Sequence, residues 1–222
     1  MIDQPQDRRG KVMADTTTLM LLKSIKELEK KSTTDSLTGL HNRDFWEQET
    51  PILEQSKRMG YTIISIDVDG LKEINDSKGH LAGDILIKNA ANILRHTFRI
   101  EDHLIRLGGD ELCVIVPYDM DQFKNAYEEY LINTLDQDES KVPSMEQFIE
   151  KILTDRFNDK IAAFSNSPEA GEYQVALSFG MCTSLPNDNL TPPHNLTKAF
   201  NNADARMYLM KELHHQSVTN NI

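Results

Sequence analysis

Cysteine, basic charge and long apolar runs are all scarce in this chain, and each scarcity excludes something. There are two cysteines in 222 residues, Cys113 and Cys182. Both lie in apolar, strand-like runs, so they read as reduced core residues rather than a disulfide framework. Lysine and arginine number 24 against 35 Asp and Glu, a net charge of −11. That balance argues against general nucleic-acid binding, although Mg²⁺ and a few local cations would still accommodate a nucleotide. No apolar stretch approaches the roughly 18–20 residues of a membrane span. A signal-peptide pattern of basic start, apolar middle and small-residue cleavage site is also missing, as are repeats and low-complexity tracts. The expectation is a cytoplasmic chain, long enough for one large domain or a domain with an extra helix.

Periodicity organises what is there. Residues 1–15 are polar, and residues 9–15 faintly resemble the last strand of a PAS sensor domain. Residues 16–33 read as a helix, with Leu21, Ile25 and Leu28 at 4,3 spacing and Glu27 and Lys31 as an i,i+4 pair. This helix either packs on its own domain or ends a signalling coiled coil; the stretch is too short to count heptads. Further helices are expected over 44–59, 71–77, 83–98 and 195–214, and strands over 61–68, 103–107, 112–117 and 174–183. Between them, residues 119–172 form a long helical insertion. Asp121 can cap one helix through about residue 135. Ser144 and Gln147 make a capping box ahead of another, whose apolar residues are Phe148, Ile149, Ile152 and Leu153. Residues 136–140 are a polar linker. The order β-α-α-β-β-α-β predicts an α+β sandwich.

Three stretches carry chemistry. Gly108-Gly109-Asp110-Glu111-Leu112 lies between two apolar segments. A Gly-Gly pair there reads as the tight turn of a β-hairpin, because glycine tolerates the positive φ such a turn needs. Two acids after the turn are a plausible metal holder, or equally a solvated tip. Upstream, residues 61–69 (YTIISIDVD) read as a buried strand ending in Asp67 and Asp69, which share a face while Val68 points away. The Val68 carbonyl could still reach an ion on that side, and Mg²⁺ prefers such oxygen ligands. Residues 70–84 then supply Lys72, Asn75, His80 and Asp84, a set of hydrogen-bonding groups around a polar loop.

Together these stretches resemble the GGDEF family, the diguanylate cyclases. Residues 35–43 (DSLTGLHNR) are similar to the family's opening DxLTGLxNR, and residues 67–84 to its D-x-D-x-F-K-x-x-N-D-x-x-G-H-x-x-G-D run. The signature hairpin at 108–112 follows, then Ser178-Phe179-Gly180, then residues 202–211. The resemblance covers roughly residues 33–215, in order. It implies a ferredoxin-like, nucleotidyl-cyclase (polymerase-palm-like) sheet of about five mostly antiparallel strands flanked by helices. It divides the chain into an N-terminal tail and linker helix (1–33), the cyclase domain (34–217) and a tail (218–222).

What the resemblance implies chemically is the joining of two GTP molecules into cyclic di-GMP, with release of two pyrophosphates. Asp67, the Val68 carbonyl and Asp110 match the family's ligands for Mg²⁺, two ions per site, with Mn²⁺ as a substitute. Asp110 also matches the base for the ribose 3′-hydroxyl, Lys72 a charge-stabilising lysine, and Glu111 a support of the same site. Asn75, His80 and Asp84 match nucleoside-binding positions, and Lys211 a phosphate contact. Arg99 and Asp102 match the R-x-x-D site at which product inhibits; both must project outward for that role. A homodimer is implied, since the product joins two substrates related by a two-fold. Three departures stand out. Leu71 and Leu112 replace phenylalanines, and His215 stands where the last motif carries an arginine, which weakens bidentate phosphate binding. Besides an active cyclase, the sequence therefore leaves open a catalytically weak domain that senses GTP or cyclic di-GMP, and a purely dimerising output module of a larger sensor.

Overall fold

Residues 59–68 form the strand on which the rest is assembled. The computed structural model describes residues 18–24, 32–134, 142–171, 173–187 and 194–219. The chain divides into two compact units, residues 1–34 and 35–222. In the first, residues 18–24 are helical. The expected pairings of Ile25, Glu27, Leu28 and Lys31, the segment 1–15, the linker 136–140 and the side chain of His215 lie outside the described residues.

In the second unit β1 (Met59–Val68) runs between β3 (Glu111–Asp119) and β4 (Leu177–Ser184), and β2 (His103–Gly108) closes the other side. Among the described residues the sheet has the order β2-β3-β1-β4, and its three strand–strand pairings are antiparallel. Every β1 residue after Met59 is buried. Strand alternation sorts its side chains: Ile64, Ile66 and Val68 join one core cluster, Tyr61 and Ile63 the other. Helices α3 (His80–Thr97) and α5 (Met145–Ser165) pack on the first face. Helices α1 (Arg43–Leu53) and α6 (Leu196–Thr219) pack on the second. The short α2 (Leu71–Lys78) links β1 to α3, and α4 (Met120–Thr134) follows β3.

Several boundaries moved for physical reasons. The helix expected from 44 to 59 stops at Leu53, shortly after Pro51, because Met59 is claimed by pairing with Asp119. The helix expected from 83 begins at His80, directly after Gly79 at φ +85°, so the polar loop between α2 and α3 shrinks to a corner. Ser144 does accept from the Gln147 N–H in a full capping box at the start of α5. On that helix Phe148, Ile149 and Leu153 are buried, but Ile152 faces out.

Among the described residues the sheet has four strands rather than about five. The outer edge of β4 is covered by side chains instead of another strand. The Phe179 N–H donates to Met210 Sδ at 3.3 Å, Arg206 donates to the Met181 carbonyl, and the Thr183 N–H donates to Glu150 Oε1 at 2.8 Å. Three outward groups of this edge strand are thereby taken up by side chains of α5 and α6. The opposite edge, at β2, is closed by His41, whose N–H reaches the Leu104 carbonyl at 2.9 Å while its carbonyl accepts from Arg106 at 2.7 Å. Helix α6 lies close on β4 because Gly180 has no side chain. A Cβ there would fall 2.2 Å from the Ala203 carbonyl oxygen and 2.4 Å from the Met207 nitrogen.

Candidate functional site

The register of the sheet decides which chemistry meets. Asp67 and Glu111 are direct partners across β1 and β3, so the end of β1 and the start of the β3 hairpin arm are neighbours. The turn between β2 and β3 uses Gly108 and Gly109 at φ +155° and +49°, values that favour glycine. Two hydrogen-bond sets then hold it. The Val68 N–H donates to the Asp110 carbonyl at 3.1 Å, tying the turn to the strand end. Arg106 grips the Gly109 carbonyl through Nε at 3.1 Å and Nη2 at 2.9 Å, while its Nη1 pairs with Asp35 at 3.2 Å. Burial alone would raise the Asp35 pKa. The two hydrogen bonds from Thr38 and the Arg106 charge outweigh it, and the carboxyl is held below its ordinary value. The opening DxLTGL stretch thus braces the hairpin that carries Asp110.

Asp67 is 7% exposed. Lys211, from α6, donates to its Oδ1 at 2.7 Å. The Asp67 pKa is nevertheless raised, first by burial and then by the nearby charges of Asp110 and Asp69, which together exceed the effect of Lys211. Burial opposes the Lys211 ammonium as well. The hydrogen bond to Asp67 and the three carboxylates more than reverse that, and its pKa is raised. One turn further along α6, His214 Nδ1 lies 3.1 Å from Asp69 Oδ2, and Ser178 donates to both Asp69 oxygens at 2.9 and 3.0 Å. Two basic residues of α6 therefore face two carboxylates at the end of β1. As expected, Val68 points away from them, into the first core cluster.

A divalent cation fits this donor chemistry in a limited way. Among the described residues no three acidic, histidine or cysteine side chains are arranged ready-made to hold a metal ion. Two carboxylates, Asp67 and Asp110, and a backbone carbonyl remain, all hard oxygen donors. Mg²⁺ is commonly held by one or two carboxylates with substrate phosphates and water completing the shell. Burial, with the charges of Asp110 and Asp69 behind it, raises the Asp67 pKa, and a cation there would oppose both.

The other candidates divide. Glu111 lies out on the hairpin, with Arg43 Nη2 at 3.6 Å. Lys72 is exposed in the first turn of α2, and His80 is exposed at the start of α3. Asn75 and Asp84 flank the α2–α3 corner. There Gly83 leaves room for Asn75, whose Oδ1 occupies a point 2.1 Å from where a Cβ would sit. Arg99 and Asp102 do not both project outward. The Arg99 side chain is 71% exposed and faces Glu101 at 3.7 Å. Asp102 is 7% exposed, and its Oδ2 accepts the Arg99 backbone N–H at 2.7 Å, because the carboxylate is used to cap the loop after α3. Burial raises the Asp102 pKa, with that N–H and the charge of Arg156 opposing. Arg156 has no counterpart in the sequence reading. It comes from α5, within the insertion, sits 5.5 Å from the Phe98 ring centroid, and lines a cleft of about 300 Å³ with Arg99, Asp102, Asp119 and Phe123. Asp35 and Arg106 were also missed as site residues, although both sit inside or beside recognisable motifs; their signal was the motif, not their chemistry.

The family described as "Diguanylate cyclase, GGDEF domain" matches residues 32–150. The probable diguanylate cyclase DgcJ of Escherichia coli is 36% identical over 113 residues, covering 45% of this chain and 22% of that protein. The diguanylate cyclase DgcS of Shewanella oneidensis is 37% identical over 93 residues, covering 40% of this chain and 31% of that protein. The chain thus spans less than a third of the length of these curated relatives. Among solved structures, diguanylate cyclase SiaD of Pseudomonas aeruginosa, determined with its activator SiaC, superposes with a TM-score of 0.61 at 22% identity. The match covers 92% of this chain and 67% of that one, and it speaks for the fold.

Proposed function

The chain belongs to the GGDEF diguanylate cyclase family, and on that basis we propose that it condenses two GTP molecules into cyclic di-GMP with loss of two pyrophosphates. The observation that carries the proposal is the convergence of Asp67, Asp110 and Lys211 at the end of β1, with Asp67 bonded to Lys211 at 2.7 Å. In each half-reaction a ribose 3′-oxygen forms a bond to the α-phosphorus of the facing GTP. The bond from that phosphorus to the β-phosphate oxygen breaks, pyrophosphate leaves, and the 3′-hydroxyl proton passes to Asp110. Asp67, the Val68 carbonyl and Asp110 are the residues that would hold Mg²⁺, two ions per site, or Mn²⁺ in its place. When bound, such ions supply charge neutralisation on the phosphates. Lys72 offsets charge developing at the transferred phosphorus, Glu111 supports the site, and Lys211 contacts phosphate.

Asp84 suits guanine, because a carboxylate accepts from N1–H and N2–H₂ together, while adenine would leave it unpaired. Asn75 and His80 complete the nucleoside contacts. A two-fold symmetric product needs two facing sites, so the active species is a homodimer, working in the cytoplasm where GTP is available. Product inhibition at Arg99 and Asp102 is part of the same reading, with a modification. Asp102 Oδ2 already takes the Arg99 N–H, so Arg99 and Arg156 would supply the cationic contacts to the phosphodiesters. The alternative, a weak GTP or cyclic di-GMP sensor, draws on His215 in place of the motif arginine. Incubation of the full chain with GTP and Mg²⁺, followed by mass analysis for cyclic di-GMP, separates the two. Product at many turnovers per protein supports the cyclase, and bound nucleotide without product supports the sensor.

A further inference from the structure

Lys211, the phosphate contact of the proposed reaction, has its ammonium on a carboxylate. Nζ lies 2.7 Å from Asp67 Oδ1, with the two side chains 30% and 9% exposed. Asp67 is also the carboxylate that the proposed reading gives to a divalent cation. A carboxylate holding an ammonium that closely has less charge to offer a metal ion, and the two cations repel each other across it. Burial strengthens both effects, because screening by solvent is weak where Asp67 sits. The residue's length and the four rotatable bonds of its stem let the same ammonium swing away from Asp67 without moving α6.

We propose that Lys211 is an exchangeable counter-ion, which neutralises Asp67 until a divalent cation takes that carboxylate and is then released to grip the nucleotide phosphates. The inference rests on the metal assignment of Asp67 in the proposed function. Its consequence is thermodynamic coupling. Metal binding frees the ammonium for phosphate, so the cation tightens nucleotide binding, and nucleotide must tighten cation binding by the same factor. His214, three residues on, keeps Asp69 occupied throughout and takes no part in the exchange.

The test is titration of the full chain with Mn²⁺, with free Mn²⁺ counted by electron paramagnetic resonance, with and without GTP held unreacted by low temperature. Without nucleotide, Lys211→Met should bind Mn²⁺ at least tenfold tighter than the parent; a like charge about 4 Å away in a partly buried site is worth up to about a thousandfold, and the freedom of the ammonium to swing aside reduces this. GTP should bind the variant more weakly, and the factor by which GTP tightens Mn²⁺ should fall, leaving only the part that comes from phosphates completing the metal's own shell. Lys211→Gln keeps a donor for Asp67 and guards against misfolding; it should shift in the same direction. Lys151→Met removes an equal charge from exposed α5 and should leave Mn²⁺ affinity unchanged. Mn²⁺ affinity within twofold of the parent in both Lys211 variants overturns the proposal, as does tighter Mn²⁺ binding with undiminished coupling to GTP. If the parent itself binds no Mn²⁺, the proposal falls with the metal assignment. Mn²⁺ binding without any cyclic di-GMP product overturns only the cyclase reading.

Discussion

Adding one methyl group at Gly180 and one at Gly83 should have opposite consequences, and the structure says why. At Gly180 a Cβ would lie 2.2 Å from the Ala203 carbonyl oxygen, 2.4 Å from the Met207 nitrogen and 2.7 Å from the Arg206 Cβ. The first two are backbone of α6 and cannot rotate aside, so α6 must lift from β4. That movement would also disturb the Arg206 and Met210 contacts that cover the β4 edge. Overpacking of this kind costs about 1–3 kcal/mol and sometimes more, and Gly180→Ala belongs at the upper end, about 3 kcal/mol. For a domain of this size that is a fall in Tm of roughly 6–12 °C. At Gly83 the obstruction is Asn75 Oδ1 at 2.1 Å, a side-chain end that can turn away. Turning it off its rotamer costs about 0.5–1.5 kcal/mol, while alanine inside a helix recovers about 0.5–1 kcal/mol relative to glycine. Gly83→Ala should therefore melt within roughly 3 °C of the parent. Its expected loss is functional: under the proposed nucleoside role of Asn75, turning its amide away removes one hydrogen bond and weakens GTP binding by about five- to tenfold. Thermal melts and fluorescent-GTP titrations of both variants check this. A Gly180→Ala protein that melts within 2 °C of the parent by this measure, or a Gly83→Ala protein that binds GTP normally, would refute the packing argument.

Asp110→Ala should keep the fold, with stability changed by less than about 0.5 kcal/mol, since the turn is held through backbone carbonyls rather than this side chain. Cyclic di-GMP synthesis should fall by several orders of magnitude, and activity within tenfold of the parent would sink its assignment as ligand and base. Arg99→Ala and Arg156→Ala should each weaken cyclic di-GMP binding in a direct titration; if Arg156→Ala binds product like the parent, the insertion does not contribute to that site. Asp35 sets a pH dependence. The folded protein lowers its pKa below the unfolded 3.8, so the stability it contributes is fully present above that value and is lost as pH falls through the lower, folded one. Asp35→Asn should thus be less stable than the parent at about pH 6, with the gap shrinking at about pH 3; urea midpoints that differ equally at both pH values would contradict this.

Local chemistry was readable from the sequence because local rules produce it. The Gly108-Gly109 turn, the buried strand along residues 61–68 and the Ser144–Gln147 capping box each depend on residues a few positions apart, and all three formed. The motifs placed Asp67, Asp110 and the α2–α3 corner on one chain segment or one hairpin. The sequence did not decide contacts between distant segments. Lys211 and Asp67 are 144 residues apart, and their meeting depends on how closely α6 settles on β4, which in turn depends on the space at Gly180. The covering of the β4 edge by Glu150, Arg206 and Met210 likewise needed three helix positions to be fixed at once, so the strand count could not be read from strand-like runs alone. Asp102 had the right spacing from Arg99, yet the loop after α3 turned its carboxylate inward to satisfy a backbone N–H, while Arg156 arrived from a helix that no motif describes. Residue type and spacing established what chemistry the chain could perform; packing, which sums many weak contacts over the whole domain, determined which of those groups face each other.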